Sequence, residues 1–165
     1  MNLLRRHLAW LSLVFLSTVA QAQSGAEQLF AVSLSDLQDK PQALAQWQGK
    51  PLIVNFWARW CGPCRTEIPE LIKIRKQHQS RGLEVLGIAL EYNIEPVRDF
   101  AKAYEMDYPV LVAKDQGFAL MKALGNAKMG LPFTVAIDRS GKVVVVRMGA
   151  VNHEELLKIA EIALR

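Results

Sequence analysis

The stretch Leu52-Ile53-Val54-Asn55-Phe56-Trp57 constrains this chain more than any other. It is a nearly continuous apolar run of strand-forming residues without alternation, which is the pattern of a strand covered on both faces. Two further runs of the same kind follow, Leu83 to Leu90 and Pro109 to Val112. The segments between them read as helices. Pro63 to about Gln79 carries an apolar stripe of Ile68, Leu71, Ile72 and Ile74, with Pro69 inside expected to kink it and Arg81-Gly82 ending it. Glu95-Pro96 opens a helix to about Tyr104, with proline at a favoured first-turn position. Phe118 to Leu124 makes a short helix. Strands over Phe133–Ile137 and Val143–Arg147 are joined by Asp138-Arg139-Ser140-Gly141-Lys142, which has hairpin turn chemistry. Asn152 then caps a last helix from His153 to Leu164. Upstream, Gln28 to Val32 reads as a short edge strand, and Leu34 to Trp47, interrupted by Pro41, as a hairpin or a broken helix. Alternating strands and helices imply parallel strands with crossover helices, and the late hairpin adds an antiparallel edge. The expected class is α/β, a central mixed sheet with helices on both faces.

Residues 1–22 stand apart. Arg5 and Arg6 precede an apolar stretch from Leu8 to Ala20, and the segment closes on Ala20-Gln21-Ala22. That is the layout of a secretory signal peptide. The stretch is shorter than the ~18–20 residues that span a bilayer, and an uncleaved N-terminal anchor is the alternative reading. Residues 23–165 are then expected to form a single domain. Hydrophobic residues make up 51% and charged residues 22%, which excludes a mainly disordered chain. Loss of the leader takes away two arginines and no acid, so the net charge of +4 halves. No basic run with interleaved aromatics remains, and nucleic acid is excluded as an expected partner.

Both cysteines of the chain lie in Trp60-Cys61-Gly62-Pro63-Cys64, just past the buried strand and at a helix start. A helix N-terminus presents free N–H groups and partial positive charge, which favour a thiolate on Cys61. Such settings lower a thiol pKa from ~8.5 toward about 7 or below. The i, i+3 spacing brings Cys64 onto the same helix face within reach of Cys61, so the pair can close a small disulfide. Pro63 fixes the first turn at no cost in hydrogen bonds. The chemistry this supports is thiol–disulfide exchange, with Cys61 attacking and Cys64 resolving. A structural disulfide closing so short a loop contributes little entropy. A metal site would need further ligands, and His78 and His153 do not stand with the cysteines in a metal-binding spacing. No metal and no cofactor are expected. A second element is Gly130-Leu131-Pro132-Phe133-Thr134, a proline at a strand entrance. Such a proline can be cis, and beside Cys61 it would leave the Leu131 backbone open to an extended substrate segment.

Asn55-Phe56-Trp57-Ala58-Arg59-Trp60-Cys61-Gly62-Pro63-Cys64, Pro69 and Leu131-Pro132-Phe133-Thr134 together resemble the thioredoxin-fold family, over nearly all of the chain from about Leu29 to Leu164. The leader, the Gly49-Lys50-Pro51 lead-in and the long segment before Pro109 are similar to its exported TlpA/ResA-like branch. That resemblance implies a thioredoxin fold and a periplasmic thiol:disulfide reductase. Its partners would be disulfide-bonded or thiol proteins, and a membrane electron donor would keep it reduced. Some members serve cytochrome c maturation. It implies Cys61 as attacking thiol, Cys64 as resolving thiol and Pro132 as a cis-proline. Trp60, Gly62, Pro63 and Leu131, which flank these residues, are expected beside the substrate. Trp57 is expected in the core. Cytosolic thioredoxins carry an ionisable aspartate where Asn55 stands, so that proton-accepting role must lie elsewhere. Glu91, at the C-terminal end of the second buried strand, is expected to take it, tuned by partial burial, with Glu95 the lesser candidate and a solvated loop carboxylate the alternative. Gly62-Pro63 is like the reducing members, and a monomer is expected. An oxidase or isomerase, or a non-catalytic module binding apocytochrome or copper through the two cysteines, are the rival readings.

Overall fold

The three apolar runs lie side by side in the interior of one sheet. In the computed structural model, which describes residues 25–165, they form β3 (Leu52–Trp57), β4 (Glu84–Ala89) and β5 (Val110–Val112), all parallel. Every residue of β3 is buried, as its lack of alternation requires. The remaining strands are β1 (Ser33–Asp36), β2 (Pro41–Ala43), β6 (Phe133–Ile137) and β7 (Val143–Met148), and the seven are ordered β2-β1-β5-β4-β3-β6-β7. The helices are α1 (Gly25–Phe30), α2 (Gly62–His78), α3 (Ile94–Ala103), α4 (Gly117–Ala123) and α5 (His153–Ala163). The leader expected over residues 1–22 lies outside the described residues. Among the described residues no helix is long and apolar enough to cross a membrane.

The helices cover both faces. Ile53 and Trp57 point to one face, where Ile68 and Leu71 of α2, Val97 of α3 and Leu156 and Ala160 of α5 pack on them. Val54 and Phe56 point to the other, against Leu29 of α1 and Leu120 and Met121 of α4. Asn152 caps α5 through a reciprocal capping box with Glu155. Gly82, at φ 87°, ends the turn that follows α2, a left-handed position that glycine takes without strain.

Two upstream segments needed tertiary information. Leu34 to Trp47 resolves into the β1–β2 hairpin and a 3-10 turn over Leu44–Trp47. Gln28 to Val32 is not an edge strand. Residues Gly25–Phe30 are helical, with Ala26, Leu29 and Phe30 buried on one side. That spacing is a short helical face, and its partner is α4. Gly25 sits so close that an added Cβ would lie 2.3 Å from the Ala123 carbonyl oxygen.

Strand direction decides what meets where. β3 and β4 end at the same edge of the sheet. β6 runs antiparallel to β3 with Phe133 opposite Phe56, so β6 begins at that edge. The segment after β3 (Cys61), the segment after β4 (Glu91) and the segment before β6 (Pro132) therefore share one end of the molecule, where sites of α/β sheets gather.

Candidate active site

The turn from β3 into α2 is held at each step. The Leu90 N–H donates to the Trp57 carbonyl at 2.9 Å and the Cys61 N–H to the Ala58 carbonyl at 3.1 Å. Cys61 is the residue that caps α2, and its Sγ accepts the Cys64 N–H at 3.2 Å. Pro63 lies in the first turn, where a missing N–H leaves no carbonyl unpaired. Cys61 and Cys64 are joined in a disulfide with a Cα–Cα distance of 5.3 Å. In the dithiol form, the helix N-terminus and the Cys64 N–H favour ionisation of Cys61. Cys61 is the outer of the two, 5% exposed against 1% for Cys64.

The rim is apolar. Trp60 is 72% exposed, whereas Trp57 is buried against the Phe100 ring, centroids 5.1 Å apart. Across the same end of the sheet, the Leu131–Pro132 bond is cis. Pro132 accepts the Gly149 N–H at 2.9 Å, and Leu131 packs on the core cluster that contains Cys61 and Cys64. Met129 and Met148 flank this segment with exposed side chains. Asn126, wholly buried, donates from Nδ2 to the Gly130 carbonyl at 2.8 Å and so fixes the approach to Pro132. Gly62 and Gly130 have open space where a Cβ would stand, so neither glycine is required by packing.

Glu91 reaches this end of the molecule, but its carboxylate is engaged. Oε1 accepts the Arg59 backbone N–H at 2.9 Å and Oε2 the Arg59 guanidinium at 3.0 Å. It braces the residue before Trp60. Glu95 is exposed at the start of α3. The carboxyl buried beneath the cysteines is a different one, Glu67, one turn along α2 from Cys64 and 2% exposed. Asn55 Nδ2 donates to its Oε2 at 3.3 Å, and the Thr134 hydroxyl donates to Oε1 at 3.2 Å. Burial pushes its pKa up to about 7, against hydrogen bonds from Thr134, Asn55 and the Val151 N–H that favour the charged form. Reading the sequence for an acid after a strand misses Glu67. The signal that finds it is its place in the apolar stripe of α2, beside Ile68 and in phase with Cys64, Leu71 and Ile74, all buried. Among the described residues, no group of three or more His, Cys, Asp or Glu side chains is arranged to hold a metal.

A redox-active cysteine pair at the start of a helix, facing a cis-proline across the end of a mixed sheet, defines a thiol:disulfide exchange protein. The chain belongs to the Redoxin family, whose model matches residues 23–162. It is 30% identical over 123 residues to the thiol-disulfide oxidoreductase ResA of Bacillus thuringiensis subsp. konkukian, covering 74% of this chain and 69% of the relative. It is 31% identical over 127 residues to the thioredoxin-like protein YneN of Bacillus subtilis, covering 75% and 71%. A thiol:disulfide interchange protein of the thioredoxin family from Chlorobium tepidum has the same fold, with a TM-score of 0.72 and 33% identity over 81% of this chain and 92% of that one. The fold is thus the thioredoxin fold, as expected, and the protein is a thiol:disulfide oxidoreductase acting on thiol or disulfide groups of other proteins.

Proposed function

We propose that this oxidoreductase works mainly as a reductase of protein disulfides, exported by the leader at residues 1–22 to the periplasm. It acts there as a monomer, as one domain over residues 23–165, and a membrane electron donor returns it to the dithiol form. Cytochrome c maturation, in which apocytochrome thiols must be kept free, is the pathway that suits this reading. The observation that carries it is the Cys61–Cys64 pair at the N-terminus of α2, with the outer sulfur facing a helix-end donor.

The electron and proton balance is simple. The Cys61 thiolate attacks one sulfur of the partner's disulfide; that S–S bond breaks and the partner's other sulfur leaves as a thiolate. Cys64 gives its proton to the Glu67 carboxylate, one turn away on the same buried face, and its sulfur attacks Cys61 Sγ. The mixed disulfide breaks, the partner's second sulfur leaves, and both partner sulfurs take up protons. The partner gains two electrons, and the protein ends with the Cys61–Cys64 bond. Trp60, Gly62, Pro63, Leu131 and Pro132 form the surface on which the partner's segment lies, with the Leu131 backbone as its pairing edge. Glu91 holds Arg59 and the turn and does not move the proton.

Trapping on Cys64→Ser in the native compartment tests this reading. Mixed disulfides through Cys61 to partner proteins are expected, together with insulin reduction by the unaltered protein. A redox potential well above roughly −200 mV would overturn the reducing direction.

A further inference from the structure

The hydrogen bonds around Glu67 all run one way. An amide nitrogen only donates, so the two Asn55 Nδ2 hydrogens go to Glu67 Oε2 at 3.3 Å and to Thr134 Oγ1 at 2.9 Å. Thr134 Oγ1, having accepted from Asn55, turns its single hydrogen to Glu67 Oε1 at 3.2 Å. The Val151 N–H also donates to this carboxyl. A carboxylate with only acceptor sites fits that set. A carboxylic acid fits only if a donor turns away, because a proton on Oε1 would meet the Thr134 hydroxyl hydrogen and one on Oε2 the Asn55 N–H. The Asn55 amide and the Val151 N–H are locked by planarity and backbone. The Thr134 hydroxyl alone can rotate about its C–O bond and turn from donor into acceptor.

We propose that Thr134 is a positioning residue for thiol–disulfide exchange: its hydroxyl, anchored by Asn55, aims the Glu67 carboxylate and reverses its hydrogen bond when Glu67 takes up the proton. This rests on the reading in which Glu67 accepts the proton of Cys64. Thr134 and Asn55 are register partners on adjacent strands, and both are buried on the sheet face that α2 covers. The pair is therefore built into the sheet rather than hung on a loop.

The surroundings leave the assignment to these groups. On α2 the neighbours are Cys61, Cys64 and Glu70, the last engaged at the surface with Lys73 at 2.8 Å and His153, at the start of α5, at 2.9 Å. Arg147 of β7 stands beside Thr134 in register and is exposed. Tyr108, which leads into β5, is a buried phenol whose ionisation is raised out of range by burial and by the Glu67 charge.

The test uses the full chain in its dithiol form with 5,5′-dithiobis(2-nitrobenzoate), which labels Cys61 and lets release of the second thionitrobenzoate report attack by Cys64. The pH dependence of that release is followed together with the 13C carboxyl titration of Glu67, assigned by its loss in Glu67→Gln. Thr134→Val is expected to move both inflections up by about one pH unit and to slow release about tenfold below them, and Thr134→Ser to restore both. If valine does not fold, Thr134→Ala removes the same hydroxyl and reads the same shift. Inflections unmoved in Thr134→Val or Thr134→Ala, with the release inflection lost in Glu67→Gln, overturn the role of Thr134 and leave that of Glu67 standing. A release inflection that survives in Glu67→Gln overturns the Glu67 reading and this proposal with it.

Discussion

The two faces of the sheet are made by the same strands and do opposite work. The face toward α1 and α4 is apolar throughout: Val54, Phe56, Leu86, Ile88, Phe133 and Val135 meet Leu29, Leu120 and Met121 there, and the Phe56 and Phe133 rings lie 5.6 Å apart. The face toward α2 and α5 embeds Asn55, Glu67 and Thr134 among Ile53, Trp57, Leu71 and Leu156. Burying apolar surface stabilises the fold. Burying a carboxyl costs stability unless donors meet it, and here the donors meet it only in part, since its pKa still rises to about 7. Both faces bury apolar surface, and the face under the cysteines gives up some of the stability this brings to keep an acid poised near neutrality.

The sharpest way to break this contrast is to remove function without touching the fold. Cys61→Ser is expected to lower insulin-reduction turnover on the order of a thousandfold or more, with a far-UV circular dichroism spectrum like that of the unaltered protein. Turnover surviving within tenfold would place the attacking group elsewhere. The opposite experiment is Phe56→Ala on the apolar face. It should cost about 3–5 kcal/mol in urea unfolding and leave kcat per folded molecule unchanged. A large fall in kcat would mean that the two faces are not separable.

Glu67→Gln addresses the cost itself. Glu67 binds its proton more tightly in the folded chain than in the unfolded one, where it has the ordinary value of 4.5. Its contribution to stability is fully present below about pH 4.5 and is lost as pH rises through about 7, with a total on the order of 3 kcal/mol. The glutamine variant should lack that decline and gain on the unaltered protein between pH 5 and pH 8. Parallel pH–stability curves would show the carboxyl to be no burden. The smallest effect is expected from Glu91→Gln. Glutamine still accepts the Arg59 N–H and loses only a part-buried ion pair, so stability should fall by about 1–2 kcal/mol, and the pH profile of exchange should not move. A shifted profile would return the proton-accepting role to Glu91.

How legible each part was depended on how local it is. Leu52–Trp57 announced a doubly covered strand because six neighbouring residues carry that message among themselves, and the Cys61/Cys64 spacing announced a helix-end pair for the same reason. The hairpin Phe133–Met148 and the cap at Asn152 were likewise readable, since turn and cap chemistry are written within a few residues. Gln28 to Val32 was misread because so short a stretch does not choose between strand and helix; docking of Gly25–Phe30 on α4 does. Glu91 drew attention in the sequence and Glu67 did not, for a related reason. At the sequence level both are carboxylates near the end of an element. What separates them is the company they keep: Arg59 for one, Asn55 and Thr134 for the other, partners 32, 12 and 67 positions away.

The amino-acid order by itself determined the alternation of buried strands and helices, the site of the redox pair and which sulfur faces outward, because periodicity, helix-end polarity and i, i+3 reach are properties of short stretches of chain. Only the tertiary structure decided which acid lies under Cys64, which is tied to Arg59, and that Asn55 and Thr134 face the first. Burial and hydrogen-bond direction exist only once distant segments have been brought together, and they set where a carboxyl holds its proton.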